Sequence, residues 1–180
     1  MVVVDFLKKG KREISLAYFN HDTMHGRSAQ SFVEEYADRE NVPLLVGKVT
    51  STKGSRSMEE FWRDERYKFL NRINSDYIIT CHHLDDCLET WLMSSFHGKP
   101  KLIPFHREPH IYRPFLMTNK STIVDYARRN KVEWIEDPSN ESCAYARNQT
   151  RHNIVPQVLK VNPGIRTTIY KKLLEIYKGS

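Results

Sequence analysis

Short apolar runs alternate with longer segments of helical periodicity along the first hundred residues. The runs 14–19, 42–49 and 76–81 predict three strands. Apolar residues spaced three and four apart predict helices over 1–9, 28–39, 57–73 and from His83 to about Phe96. Regular alternation of strand and helix predicts an α/β fold, in which a parallel sheet is covered by helices on both faces.

The second half of the chain opens with a proline-rich connector. Residues 98–117 contain four prolines and predict short extended pieces. The elements expected after it are a helix over 119–130, a strand over 132–136, a turn over 137–140, a helix over 143–155 that is interrupted near Pro156, and a last helix from about Asn162. We therefore expect an α/β domain over 1–117 and a helical, basic C-terminal part over 118–180.

Composition restricts the class of protein further. A chain of 180 residues with 39% hydrophobic and 28% charged residues can bury a core, which argues against a disordered protein. No apolar stretch approaches the roughly 18 residues of a membrane span, and no basic region precedes the short apolar run at the N-terminus. Because three cysteines cannot all pair, we expect a reduced, cytoplasmic protein with no membrane partner.

The net charge of +6 conceals an uneven distribution. Residues 1–97 carry 13 basic and 15 acidic side chains (13 − 15 = −2), whereas residues 98–180 carry 15 basic and 7 acidic ones (15 − 7 = +8). A basic half favours a polyanion partner such as a nucleic acid, and a solvated basic surface is the alternative.

The densest polar cluster follows the third predicted strand. His82 and His83 come directly after that strand, and Asp85, Asp86 and Glu89 lie in the helix that follows. Because ligand sites of open α/β sheets lie beyond the carboxyl ends of strands, these residues predict a site for Mg²⁺, an amine or an anion. Acidic residues that merely stabilise the helix dipole are the structural alternative. A zinc site is a further alternative. Its ligands would be Cys81, His82, His83 and Cys87, although these residues lack the usual Cys-x-x-Cys spacing.

Arginines form a second group of candidates. Arg66 falls within the apolar stripe of the helix predicted over 57–73, and Arg63 lies at its edge. A buried Arg66 needs an anion, either a phosphate or an internal carboxylate. Arg147 and Arg151 are four residues apart with Asn148 beside them, which suits either phosphate recognition or a solvated helix face.

Several motifs occur in a fixed order along nearly the whole chain. They are Asn20-His21, Arg63-Asp64-Glu65-Arg66-Tyr67, His82-His83-Leu84-Asp85-Asp86-x-x-Glu89-Thr90, Arg113-Pro114-Phe115-Leu116, 134–140, and Arg147-Asn148 with Arg151, followed by Pro156 and Asn162-Pro163. In this order they resemble the tRNA(Ile)-lysidine synthetase family of the N-type ATP pyrophosphatase superfamily. The resemblance implies a Rossmann-like sheet of the adenine nucleotide alpha hydrolase type, with the nucleotide-binding α/β domain over 1–117.

The resemblance also implies a reaction. ATP, with Mg²⁺, activates the first anticodon cytidine of a tRNA(Ile) with a CAU anticodon as an adenylate, and the ε-amine of free L-lysine then displaces AMP to give lysidine. The resemblance is also compatible with a homodimer.

Residue roles follow from the motif positions that the resemblance matches. The catalytic set would be Asp86, Glu89, His82 and Arg63, with Asp86 as the residue that binds Mg²⁺. The substrate- and nucleotide-binding set would be Asn20, His21, Arg66, His83 and Asp85. The tRNA-binding set would be Arg113, Arg147, Asn148 and Arg151.

One family feature has no counterpart in the sequence. The family's Ser-Gly-Gly-x-Asp-Ser loop binds the ATP phosphates between the first strand and the first helix, and the seven glycines here include no Gly-x-Gly and no adjacent pair. The segment from Met1 to Leu7 resembles the family's first helix. We therefore expect a late start codon or a truncated gene. The alternatives to the ligase are an RNA-binding relic without ATP chemistry and a thiolation enzyme, a group marked by Cys-x-x-Cys pairs.

Overall fold

A computed structural model describes residues 1–141 and 145–178, without the side chains of residues 139 and 141. The chain forms two compact units, one of residues 1–76 with 132–137 and one of residues 77–131 with 138–180. The division between Asp76 and Tyr77 precedes the predicted boundary at 117 by about forty residues. Segment 132–137 belongs to the first unit, where Val132 is buried and Arg39 forms a 2.8 Å ion pair with Glu133.

The first unit is built on two parallel strands. Its elements are α1 (Val2–Lys9), β1 (Leu16–Asn20), α2 (Met24–Glu40), β2 (Leu44–Lys48) and α3 (Met58–Leu70). Strands β1 and β2 pair in parallel from Leu16 opposite Leu44 to Asn20 opposite Lys48. This parallel pairing, with helices between the strands, confirms the predicted α/β class.

Local capping determines where the helices of the first unit begin. The Thr23 hydroxyl accepts the Gly26 N–H at 2.9 Å, so α2 starts four residues before the predicted Ser28. Ser57 accepts the Glu60 N–H at 3.2 Å and starts α3, as its Ser-x-x-Glu pattern predicts.

The second unit combines a small sheet with packed helices. Its elements are β3 (Ile78–Ile79), α4 (Leu84–Ser95), β4 (His106–Arg107), β5 (Ile111–Tyr112), α5 (Lys120–Asn130), a 3₁₀ turn (Pro138–Glu141), α6 (Ala146–Gln149), a π-helical turn (Thr150–Ile154), α7 (Val155–Val161) and α8 (Ile165–Lys178). Strand β5 pairs in parallel with β3 and antiparallel with β4. The core of this unit lies mainly between α4 and α8, where Leu88 and Ile169 are fully buried.

Two predicted elements differ from the structure. Residues 132–136 are not a strand: they pair with no described strand, and side-chain contacts such as the Arg39–Glu133 ion pair hold them. The helix predicted over 143–155 differs in form, because a π-helical turn at Thr150–Ile154 interrupts the α-helix just before Pro156, which lies in the first turn of α7. The predicted helix start at 143 and Cys143 lie outside the described residues.

No helix in the described parts of the chain has both the length and the apolar character needed to cross a bilayer.

Gly47 in β2 provides a test of the packing in the first unit. A Cβ built there would lie 2.4 Å from the Phe69 ring, so we expect Gly47→Ala to displace that ring and to lower the free energy of unfolding by about 1–3 kcal/mol. Gly164→Ala is the matched control, because its Cβ would meet only Asn162 Oδ1 at 3.4 Å. Denaturant unfolding of both variants measures the difference, and equal stabilities would contradict this packing.

Candidate active site

The first turn of α4 begins with a reciprocal cap made by His83 and Asp86. The His83 backbone N–H donates to Asp86 Oδ2 at 2.9 Å, and the Asp86 N–H donates to His83 Nδ1 at 3.4 Å. This arrangement has the geometry of a capping box, with histidine in the position usually taken by serine or threonine. The sequence therefore starts the helix at His83 and fixes the carboxylate of Asp86 at its N-terminus.

One turn further along α4, Glu89 is held by two arginines. Its side chain is only 4% exposed. Glu89 Oε1 accepts the Arg151 Nε–H at 2.7 Å, and Oε2 accepts Arg147 Nε–H at 2.9 Å and Arg151 Nη2–H at 3.1 Å. Arg147 also donates through Nη2 to Asp86 Oδ1 at 3.1 Å. We call these four residues, Asp86, Glu89, Arg147 and Arg151, the acid–arginine cluster.

The acid–arginine cluster is electrically balanced, with two carboxylates and two guanidinium groups. A buried carboxylate without a partner is strongly unfavourable, and the hydrogen bonds from both arginines offset this cost at Glu89. Hydrogen bonding to Glu89 raises the pKa of the Arg151 guanidinium. An ammonium that binds these carboxylates, or a phosphate that binds these arginines, would compete with the internal contacts for acceptor and donor sites.

The structure thus brings together two groups that the sequence analysis placed apart. The acids were expected to meet lysine and the arginines to meet tRNA, yet they bind each other. Their helix spacings, i and i+3 for Asp86 and Glu89 and i and i+4 for Arg147 and Arg151, put each pair on one face. The contact between the pairs spans about sixty residues of sequence, so no local pattern predicts it.

The other residues of this motif have internal partners. Thr80 Oγ1 and His82 Nδ1 lie 3.1 Å apart at the end of β3. Asp85 accepts the Lys120 N–H at 2.9 Å and the Arg166 Nε–H at 2.9 Å. Arg166 was missed by the sequence analysis, because it lies eighty-one residues from its partner and outside every motif.

Two predicted tRNA contacts lie in the interior of the second unit. Arg113 is 1% exposed and donates through Nη1 to the Pro104 carbonyl at 2.7 Å. Asn148 is 8% exposed. Neither side chain presents the surface that a tRNA contact requires, so their positions in this structure favour a structural role.

The first unit contains the remaining predicted site residues, of which Asn20 and His21 lie at the end of β1. Asn20 is buried, where its Oδ1 accepts the Asp22 N–H and its Nδ2 donates to Gln30, both at 2.8 Å. Gly26 is required beside it, since a Cβ there would lie 2.6 Å from Asn20 Oδ1. These contacts fix the turn that carries His21.

His21 occupies an apolar environment. Its ring lies 5.2 Å from the Phe19 ring and 5.4 Å from the Trp62 ring, measured between centroids. Burial and the positive charge of Arg66 lower the pKa of His21 to about 4, against an opposing effect of Asp137. His21 is therefore neutral near pH 7, so it can accept or donate a hydrogen bond but does not supply a positive charge to a phosphate.

Helix α3 differs from the predicted burial pattern. Arg66 is half-buried and Arg63 is exposed, whereas Glu65 is 4% exposed and accepts the Lys68 ammonium at 2.7 Å. Both arginines lie over the Tyr67 ring, with Arg63 at 5.1 Å and Arg66 at 5.9 Å. The expectation of a buried Arg66 was wrong, because Glu65 takes the buried position.

Within the described residues, no group of three histidine, cysteine or acidic side chains could hold a metal ion. Both oxygens of Asp86 already accept hydrogen bonds, from His83 N–H and from Arg147. The described residues do not fit a Mg²⁺ site made by the protein alone.

Parallel strands separated by helices, with polar residues at the strand ends, define an α/β protein. Residues 1–158 match the PP-loop domain family, and the chain belongs to that family.

Similar curated proteins are tRNA(Ile)-lysidine synthases. The chain is 32% identical over 168 residues to that of Persephonella marina, covering 87% of this chain and 37% of the relative. It is 32% identical over 174 residues to that of Thermotoga maritima, covering 89% and 42%, and 31% identical over 173 residues to that of Petrotoga mobilis, covering 88% and 55%. The chain thus spans between about a third and just over half of the length of these relatives.

A solved structure has the same fold. The U34-tRNA thiolase NcsA from Methanococcus maripaludis, with its [4Fe-4S] cluster, matches with a TM-score of 0.75 over 98% of this chain and 68% of that chain. At 15% sequence identity, this similarity concerns the fold alone.

Glu89→Gln tests whether the buried carboxylate supports the second unit. The substitution removes the charge that Arg147 and Arg151 share and leaves Asp86 to compensate both guanidinium groups, so we expect the free energy of unfolding to fall by about 2–4 kcal/mol. Glu133→Gln removes an exposed partner of Arg39 and should change stability far less. Denaturant unfolding compares the two variants, and equal losses would show that burial of the Glu89 ion pair does not matter.

His21→Gln tests the neutral histidine of the first unit. Because the folded pKa lies near 4 and the ordinary value is 6.5, the unfolded chain binds more protons between these values. Stability of the wild type should therefore fall as the pH drops from 6.5 to 4, and His21→Gln should remove about 1–2 kcal/mol of that fall. Unfolding free energies measured across this range give the result, with His97→Gln, at an exposed position, as the control. An unchanged pH profile for His21→Gln would contradict the prediction.

Proposed function

We propose that this chain is the catalytic part of an ATP-dependent ligase that converts the first anticodon cytidine of a tRNA(Ile) into lysidine, with free L-lysine as the second substrate. Membership of the PP-loop family supports the use of ATP. Similarity of about 30% over most of the chain to tRNA(Ile)-lysidine synthases supports this reaction among those that a PP-loop protein could perform. The observation that carries the proposal is the acid–arginine cluster, which combines groups for an incoming cation with groups for an anion.

The reaction has two steps. The C2 oxygen of the cytidine attacks the α-phosphorus of ATP, which forms an adenylated base and releases pyrophosphate. The neutral ε-amine of lysine then attacks C2, the C2–O bond to AMP breaks, and the amine nitrogen loses a proton. The protein must therefore hold an ammonium, allow its deprotonation, and stabilise the negative charge of the departing phosphate.

In this proposal Asp86 and Glu89 bind the lysine ammonium. Both carboxylates are paired with Arg147 and Arg151 in the ligand-free chain, so the ammonium replaces an arginine contact. Asp86 is the more accessible acid, with a side chain 14% exposed against 4% for Glu89. We assign the direct contact with the amine to Asp86 and a supporting charge to Glu89.

An arginine released in this exchange becomes available to an anion. The side chains of Arg147 and Arg151 are 28% and 26% exposed, which allows them to reach a phosphate without leaving the cluster entirely. The tRNA backbone and the departing AMP both supply phosphate groups. The excess of basic residues after position 97 supports a polyanion partner, which in this proposal is a tRNA(Ile) with a CAU anticodon.

ATP is proposed as a substrate, and Mg²⁺ as the ion that accompanies its phosphates. Mg²⁺ is usually bound by one or two carboxylates together with substrate phosphates and water. Because the described residues do not form a metal site by themselves, the proposed steps assign no role to the ion.

Asp86→Asn tests the proposed contact with lysine. The substitution keeps the size of the side chain and removes its charge, so lysine incorporation should fall by about a hundredfold or more. Pyrophosphate release from ATP in the presence of tRNA should persist, because adenylation precedes the amine. The assay uses the purified protein, a tRNA(Ile) transcript with a CAU anticodon, ATP, Mg²⁺ and labelled lysine.

Asp38→Asn, at an exposed position of α2, is the matched control and should keep full activity. Normal lysine incorporation by Asp86→Asn would exclude Asp86 as the amine contact. Binding of tRNA by the wild type without any lysine incorporation would instead favour an RNA-binding protein over a ligase.

A further inference from the structure

Helix α8 lies beyond residue 158, where the match to the PP-loop family ends, and yet it completes the second unit. Its residues Ile165, Ile169 and Leu173 are buried against the apolar face of α4, which includes Leu84 and Leu88. This packing holds the two helices side by side. The first turn of α4 carries Asp86, so α8 is in a position to affect the acid–arginine cluster.

A single ion pair links the first turns of α8 and α4. Asp85 Oδ1 accepts the Arg166 Nε–H at 2.9 Å, and Arg166 Nη2 lies 2.8 Å from the same oxygen in an ion pair. Asp85 Oδ2 accepts the backbone N–H of Lys120, the first residue of α5, at 2.9 Å. One carboxylate therefore connects three helices.

The charge of Asp85 is well satisfied at this junction. Burial opposes its ionisation, but the hydrogen bonds from Lys120 N–H and Arg166 hold the pKa of Asp85 below its usual value. The helix dipole of α5 adds a favourable interaction with a negative charge at its N-terminus. Asp85 is thus a charged residue whose two oxygens face protein donors rather than a ligand.

We propose that Arg166 and Asp85 are positioning residues that fix the first turn of α4 and thereby the carboxylate of Asp86. The inference rests on the proposed function in one respect only, namely the identity of the ligand that Asp86 contacts. Asp85 and Asp86 are adjacent in one helical turn, and Asp85 is clamped from α8 and α5 while Asp86 faces Arg147. Loss of the clamp frees this turn to rotate or fray, which moves Asp86 relative to Arg147.

Hydrogen exchange of the purified protein measures this effect without any need for activity. In Arg166→Met, the amides of residues 85–88 and of Lys120 should exchange about fivefold faster or more, as expected when a charged hydrogen bond that restrains them is lost. Arg166→Lys keeps one donor and should give an intermediate rate. Lys172→Met, at an exposed position of the same helix, should leave these rates unchanged.

A double-substitution cycle separates the clamp from general destabilisation of α8. Asp85→Asn combined with Arg166→Met should exchange no faster than the faster single variant, because both changes break the same contact. Additive effects, or wild-type exchange rates in Arg166→Met, would overturn the inference. If Arg166→Met does not fold, the comparison of Arg166→Lys with Asp85→Asn gives the same decision.

Kinetics add a measurement that a purely structural role would not affect. In Arg166→Lys, the KM for lysine should rise about threefold to tenfold with the KM for ATP unchanged, since Asp86 meets only the amine. Equal changes in both constants would contradict positioning through Asp86. If the wild type incorporates no lysine, the proposed function fails, and the exchange rates still decide whether α8 positions the turn.

Discussion

The second unit depends on how one buried carboxylate is compensated. Glu89 is 4% exposed and its two oxygens receive three hydrogen bonds from Arg147 and Arg151. Because an unpaired charge at this depth is strongly unfavourable, the helical segment that carries both arginines must lie against α4. The relation between α4 and residues 146–154 therefore follows from this ion pair as much as from apolar packing.

Internal pairing changes what the site can be expected to bind. Separate acidic and basic groups would attract an amine and a phosphate independently, whereas a balanced cluster favours neither charge by itself. A cation that takes a contact from Asp86 or Glu89 releases a guanidinium, and an anion that engages Arg147 or Arg151 releases a carboxylate. In the proposed reaction, which joins an ammonium substrate to a polyanion, such an exchange would couple the binding of the two ligands.

Sequence patterns were sufficient for the local structure and for the class of fold. Apolar periodicity located α1 to α5, and a capping pattern located the start of α3 at Ser57. The partners of charged side chains were not predictable, because Arg147 meets Glu89 and Arg166 meets Asp85 across 58 and 81 residues of sequence. Residues 132–136 were predicted as a strand because a short, largely apolar segment does not reveal whether a neighbouring strand supplies hydrogen bonds.

The structural interpretation of the acidic turn is compatible with the proposed function, because Asp86 divides its two oxygens between two contacts. Asp86 uses Oδ2 to cap α4 and Oδ1 to face Arg147, and His83 supplies the reciprocal half of the cap. Acids at a helix N-terminus are favoured by the dipole whatever else they do, so their presence alone does not indicate a site. What distinguishes Asp86 is that its second oxygen points to an arginine shared with a buried glutamate. Through that shared arginine, the cap of α4 and the chemistry proposed for Asp86 depend on one geometry.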